Sequence, residues 1–414
     1  MRYILILFFL FSCSKVEVEK KKEGVKEITL WETYGEEEHK EILKIAKMFE
    51  ERNPGVKINI RRIPWGDHQT KLMTSMITNT APDIARVDIA FMPRLVASNS
   101  VLDLKKLGEV NPEDYIPAAI QSCIFKKNGE IGIYGLPDQI TGVCLFYNKK
   151  AFKEAGIEKP PKTWEEFIEV AKKLTVDKDG DGKIDQFGFG MDYSLWWTFP
   201  FFNTFGVKFL SEDGKKCLLD SPEGKKALQL KVDLYRKFKV EGGAWQSGAI
   251  PVDMGFMNGI YAMIFTGPWN VKRFKEAGID FGIALIPEGP AGTSTNVGGT
   301  DMVIMRKAKN PELCFKFLKF LTSPRIQAMW AMDLGQIPVN VKAVQFIDFS
   351  KCPEVKIFFE QMKTAIPRPK VLSYDRLEMT VNPYLYAALT GKMTVKKALK
   401  EIKEKIEKDI LAEE

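Results

Sequence analysis

Histidine is almost missing from this chain of 414 residues: only His39 and His68 occur, and no HExxH, GxSxG or phosphate-loop motif is present. That removes most of the material for zinc hydrolysis, for an activated serine and for nucleotide binding. Cysteine is sparse too. Six are scattered at Cys13, Cys123, Cys144, Cys217, Cys314 and Cys352 without any CxxC spacing, so neither a disulfide lattice nor a zinc site is indicated. Blocks of like charge are lacking, because the net charge of +7 comes from interspersed Lys and Glu. This pattern describes solvated surface and argues against a nucleic-acid face. Nor does any apolar stretch reach the roughly 20 residues that span a bilayer.

What the sequence does contain begins at its start. Arg2 and a nine-residue apolar run, Tyr3 to Phe11, are followed by Ser12 and Cys13, the layout of a secretion signal over residues 1–12. The end of that segment, Leu10-Phe11-Ser12-Cys13, resembles a bacterial lipobox. The resemblance implies that Cys13 is acylated and tethers the protein to a membrane; the alternative is an ordinary signal cut nearby. Residues 13–27 then alternate Lys with Glu and hold no aromatic residue, which predicts a flexible tether.

About 385 residues remain, enough for two lobes of ordinary size. Ile28-Thr29-Leu30-Trp31 alternates as a strand, and Glu36 to Glu51 carries Ile42, Ile45, Ala46 and Phe49 at helical spacing. Asn53-Pro54-Gly55 breaks the helix and Val56 to Ile60 alternates again. A helix through Leu72, Met76 and Ile77 leads to a third strand at Asp83 to Val87. Strand, helix, strand in succession predicts α/β layering with a parallel sheet.

On this frame lie "MFEERNPGVKI", "PDIARVDIAFMPRLVASNSVLDL", "LFYNKKAFKEAGIEKPPKTWEEF", "MNGIYAMIFTGPWNV", "VGGTDMVI" and "LTGKMTVKKALKEIKEKI". Together they resemble the family 1 extracellular solute-binding proteins, over about residues 28–410. The resemblance implies a two-lobed periplasmic-binding-protein fold of type II, each lobe a mixed, mostly parallel sheet flanked by helices. By it, residues 28–138 plus 285–335 form the N-terminal lobe and 139–284 plus 336–414 the C-terminal one. It further implies a monomer that captures a sugar in the interlobe cleft by hinge closure and delivers it to the permease of an ABC importer. No cofactor is implied, and the membrane is reached through the lipid alone.

A pyranose has an apolar face and a polar edge, so stacked rings and paired hydrogen bonds recognise it. Trp269, in "GPW" after a strand-like AMIF run, leads the aromatic candidates, followed by adjacent Trp196 and Trp197, then Trp65 and Trp245. Trp31 and Trp330 read as core, and Trp164 as either packing or binding behind the cap Thr163. Polar candidates where the family's loops meet the cleft are Glu37 or Glu38, Gln69, Asp88, Gln139, Thr141, Gly299 and Asp301. Asp88 has a second reading as a helix N-cap. Arg368, in "PRP", resembles a family arginine that reaches the ligand. With Lys71 it would suit a glycerol phosphodiester or other polyol as readily as a sugar.

Asp177, Asp179, Asp181 and Asp185 occupy calcium-loop positions around Gly182, although Gly188 stands where a bidentate Glu is required. A structural calcium or a plain tight turn are the two readings. Carboxylates beside Trp also occur in glycosidases, but the missing nucleophile and metal motifs favour a binder over an enzyme. A chemoreceptor-type sensing module would share every cleft feature.

Overall fold

The computed structural model describes residues 24–413. The expectations for the signal, for Cys13 and for the first part of the tether lie outside the described residues. The tether's last two residues, Lys26 and Glu27, already belong to the first strand, where they pair with Val56 and Lys57.

The strands run β1 (Lys26–Glu32), β2 (Val56–Arg62), β3 (Ile84–Asp88), β4 (Ile124–Lys127), β5 (Glu130–Ile133) and β6 (Leu136–Thr141). They continue as β7 (Cys144–Asn148), β8 (Met263–Thr266), β9 (Phe281–Ala284), β10 (Asn296–Ile304) and β11 (Ile366–Pro367). One sheet has the order β11-β10-β3-β1-β2, with β6 also on β10. Its β1 is parallel to β2 and β3, whereas β10 runs antiparallel to β3 and β6. The other sheet of more than two strands, β8-β7-β9, is antiparallel throughout. The expected mostly parallel pairing therefore holds for β1 with β2 and β3 and for the short contact of β10 with β11, and not for the other pairs.

Local chemistry sets the elements. The helix Glu36–Arg52 opens with three glutamates against its positive end and buries Ile42, Ile45, Ala46 and Phe49 on one stripe. Thr163 accepts a hydrogen bond from the Glu166 N–H at 3.3 Å and so caps the helix Trp164–Lys173. Around β8 the core is aromatic: Phe189 lies edge-on to both Phe167 and Phe265, with ring centres 5.0 Å apart in each pair. Trp164 stacks on Phe201 at 4.8 Å, which places it in packing.

Residues 336–346, expected in the second lobe, sit on the first sheet's unit. Gln336 bonds Glu38, Ile116 N–H donates to the Val339 carbonyl, and Asn340 reaches Thr322. The chain returns toward β7 and β9 only later, where Phe358 meets Phe146 at 6.1 Å. Cys123, Cys144, Cys217, Cys314 and Cys352 are all buried free thiols. Among the described residues no helix is long and apolar enough to cross a membrane.

Candidate functional site

The strand ends of β1, β3 and β6 enclose a buried polar network. Arg86 donates through Nε to Asp138 at 2.8 Å, through Nη1 to Thr33 at 2.7 Å and through Nη2 to Gln139 at 2.6 Å. Its guanidinium also lies 3.9 Å from the Tyr34 ring centre, and the Tyr34 hydroxyl donates to the same Asp138 oxygen. Arg86 can stay buried because its charge is matched and its donors are used. Glu38, expected at a ligand, is part of this scaffold: one oxygen takes the Gly35 N–H and the other takes amides from Gln139 and Gln336. Burial raises its carboxyl above the usual range. Gln139 is half-buried, with its amide spent on Arg86, Glu38 and Gln336.

Next to the network lies a second cluster, built on Asp88 at the end of β3. Asp88 fills the capping role foreseen for it, its Oδ1 accepting from the Ala90 N–H at 2.7 Å, and both its oxygens meet the Arg368 guanidinium, a pairing not foreseen. Arg368 is held between rings, 5.1 Å from the Trp196 centre and 4.8 Å from that of Tyr374. Burial opposes the charge on Arg368, but the neighbouring Asp88 carboxylate outweighs it and holds the guanidinium protonated above the ordinary arginine range. Three buried polar atoms around Asp88 have no partner: Arg368 Nε, Oγ1 of Thr300 (paired with Asp88 in the sheet) and Nε2 of His68. Burial lowers the His68 imidazole, and Asp88 partly offsets that.

Trp196 and Trp197 open the helix Leu195–Thr204 as half-buried rings 6.5 Å apart, and Trp197 meets Trp269 edge-on at 6.3 Å. The row rests on β10, because a β-carbon at Gly298 would stand 2.4 Å from the Trp196 ring. Thr141 Oγ1 lies beside that position as well. Trp65 is 48% exposed, its ring 4.7 Å from that of His68, and Gln69 is half-buried on the helix that follows.

Three expected ligand contacts are placed elsewhere. Trp245 is buried between Tyr235 and Tyr386, its indole N–H donated to Glu241 at 3.0 Å, so its polar edge is already used. Asp301 is fully buried and accepts from the Ser122 hydroxyl at 2.9 Å; burial pushes its carboxyl up to about 7. Gly299 contributes backbone only: with φ of +143°, a β-carbon there would come within 2.3 Å of the Gln139 carbonyl oxygen. In exchange the structure adds Tyr374 and Glu378, which share a 3.1 Å hydrogen bond beside Arg368. Neither carried a motif; only their helical spacing of four residues linked them.

The sequence profile of the bacterial extracellular solute-binding proteins matches residues 34–328. The chain belongs to this family. Among its relatives is a maltooligosaccharide ABC transporter solute-binding lipoprotein of Streptococcus pneumoniae, 24% identical, with 95% of this chain and 92% of that one covered. An sn-glycerol-3-phosphate-binding periplasmic protein of Escherichia coli is 25% identical over 91% of each chain. The structure of the Thermus thermophilus maltotriose binding protein bound with maltotriose superposes with a TM-score of 0.79 at 27% identity, covering 92% of this chain and 99% of that one. This solute-binding protein therefore has the two-lobed fold that the resemblance implied.

Away from the aromatic row of the solute-binding protein, carboxylate oxygens of Asp177, Asp179 and Asp185 lie within 4.8 Å of one another. Asp181 turns aside to Lys183 at 3.2 Å, and the Asp177 oxygens accept from the Gly180 and Gly182 N–H groups. A groove of about 310 Å³ beside the helix Pro324–Leu334 is lined by Lys272, Lys275 and Lys351. Each is matched by a carboxylate, from Glu276, Glu354 and Asp348 respectively.

Proposed function

We propose that this chain is the extracytoplasmic receptor of an ABC importer, anchored through Cys13, and that it closes its two lobes on a neutral oligosaccharide for delivery to the permease. The observation that carries the ligand class is the Asp88–Arg368 pair. Arg368, the cation that could have selected a phosphate, is neutralised by Asp88 and covered by Trp196 and Tyr374. A phosphodiester would arrive at a charge already matched. Around Asp88 the buried Arg368 Nε, Thr300 Oγ1 and His68 Nε2 instead leave donor and acceptor capacity unused, which suits hydroxyl groups. The Trp196–Trp197–Trp269 row supplies apolar faces for pyranose rings.

The same reading makes the protein a monomer that performs no chemistry. Its lobes divide near residue 138, near 285 and after 346, so Asp88 and Trp196 lie on opposite sides of the cleft and closure brings them together. Isothermal titration of the full chain in detergent with maltotriose, raffinose and sn-glycerol 3-phosphate tests the ligand. Micromolar binding of an oligosaccharide is expected; binding of the phosphate with neither sugar overturns the carbohydrate reading.

A further inference from the structure

Lys231 is fully buried, a placement lysine almost never takes without a partner. It lies on the helix Pro222–Arg236, whose core stripe is Gly224, Ala227, Leu228, Lys231 and Leu234. Helical periodicity puts an apolar residue at this position. Its ammonium donates to Thr198 Oγ1 at 2.8 Å and lies 5.5 Å from the Phe201 ring centre. Thr198 in turn donates to the Ser194 carbonyl at 2.8 Å. Asp192 and Glu241 are the negative charges that face the amine, and they brace the same segment: Asp192 accepts from the Ser194 N–H, and Glu241 from the Met191 N–H. The lysine's hydrogen bond, through Thr198 to Ser194, therefore ties it to the turn that starts the Leu195–Thr204 helix, where Trp196 and Trp197 lie.

We propose that Lys231 is a positioning residue for the ligand site: through Thr198 it sets the first turn of that helix and so the angle at which Trp196 and Trp197 meet a ligand. The inference rests on the reading that these rings receive a carbohydrate. Burial pulls the amine down to about 7, so the fold bears a cost at this position. An apolar side chain of similar volume removes that cost. Stability and binding should then move in opposite directions, which a purely structural role does not do.

The test uses the full chain in detergent, with maltotriose as probe. Lys231→Met is expected to melt at or above the wild-type temperature, to alter the indole band in near-ultraviolet circular dichroism, and to bind maltotriose about tenfold more weakly, the size of one charge-assisted hydrogen bond. Thr198→Val should reproduce the weaker binding, while Thr198→Ser, which keeps the hydroxyl, should bind as wild type does. Maltotriose binding within about twofold of wild type in both Lys231→Met and Thr198→Val, with an unchanged indole band, overturns the proposal. Failure of the wild type itself to bind sugar would count against the carbohydrate reading, and the indole band of the ligand-free variants would still decide the role of Lys231.

Discussion

At Asp88 and Arg368 one ion pair joins the end of β3 to the segment after β11, with side chains only 12% and 6% exposed. Removing one member leaves the other charge buried and unmatched. Asp88→Asn should therefore lower stability by about 3 kcal/mol, read from the urea midpoint, and the double variant Asp88→Asn with Arg368→Gln should recover part of that loss. Asp301 makes a separate prediction. Its carboxyl rises to about 7 through burial, so the folded protein retains a proton that the unfolded chain releases near the ordinary carboxylate value. Stability from this group is complete at low pH and declines as the pH rises through about 4 to 7. Asp301→Asn should flatten that slope in urea titrations across the window, so that its margin over wild type grows towards pH 8. A parallel pH dependence in both proteins would remove Asp301 as its source.

Among the elements, β10 carries the most constraint, since two successive glycines in it make room for different things. Gly298 admits an aromatic ring and Gly299 admits a backbone carbonyl. Gly298→Ala should weaken sugar binding by displacing Trp196 with little change in melting temperature. Gly299→Ala, with a carbonyl as its obstacle, should lower the melting temperature clearly. The Asp177 loop is predicted to bind calcium only in the millimolar range, because position twelve of the loop is a glycine. A scan with 5 mM calcium should then raise the melting temperature by no more than about 2 °C, and a larger rise would show that another ligand completes the site. The opening β1-helix-β2 unit was legible because its alternation of two and its period near 3.6 agree over more than thirty residues. The face on which a β10 side chain lies was not: β10 pairs irregularly with β6 between Thr300 and Asp301, and no local pattern announces that shift. Asp301 was misplaced for this reason. Trp245 was misplaced for another, since the partner that consumes its N–H, Glu241, is itself buried against the usual preference of a carboxylate.

For the whole molecule, closure is the measurable event. Solution scattering with and without maltotriose should show a smaller radius of gyration in the sugar-bound state; equal radii would indicate a rigid module. Contacts that bridge the proposed lobes, including Arg94 to Asp375 at 3.5 Å and Asp88 to Arg368, are the ones an open form must give up. Exposed pairs such as the first add little and weaken with salt. Ionic strength should therefore affect closure mildly, because the exposed pair contributes little and the buried Asp88–Arg368 pair is screened much less. The two-lobed architecture was readable in outline from family order alone. The position of residues 336–346 was not, because it depends on Gln336 reaching Glu38 across nearly three hundred residues of sequence.

The five buried thiols take on another meaning for a protein that works outside the cytoplasm. Cys123 and Cys314 lie near the first sheet, Cys144 on β7, and Cys217 in the core behind the aromatic row. Burial raises Cys217 to about 12 and pushes the others upward too, so none is a ready thiolate while the fold is shut. Each reacts only when its own surroundings open. Cysteine-by-cysteine alkylation rates, followed by mass spectrometry, would thus time local breathing in both halves of the receptor without introducing a single label.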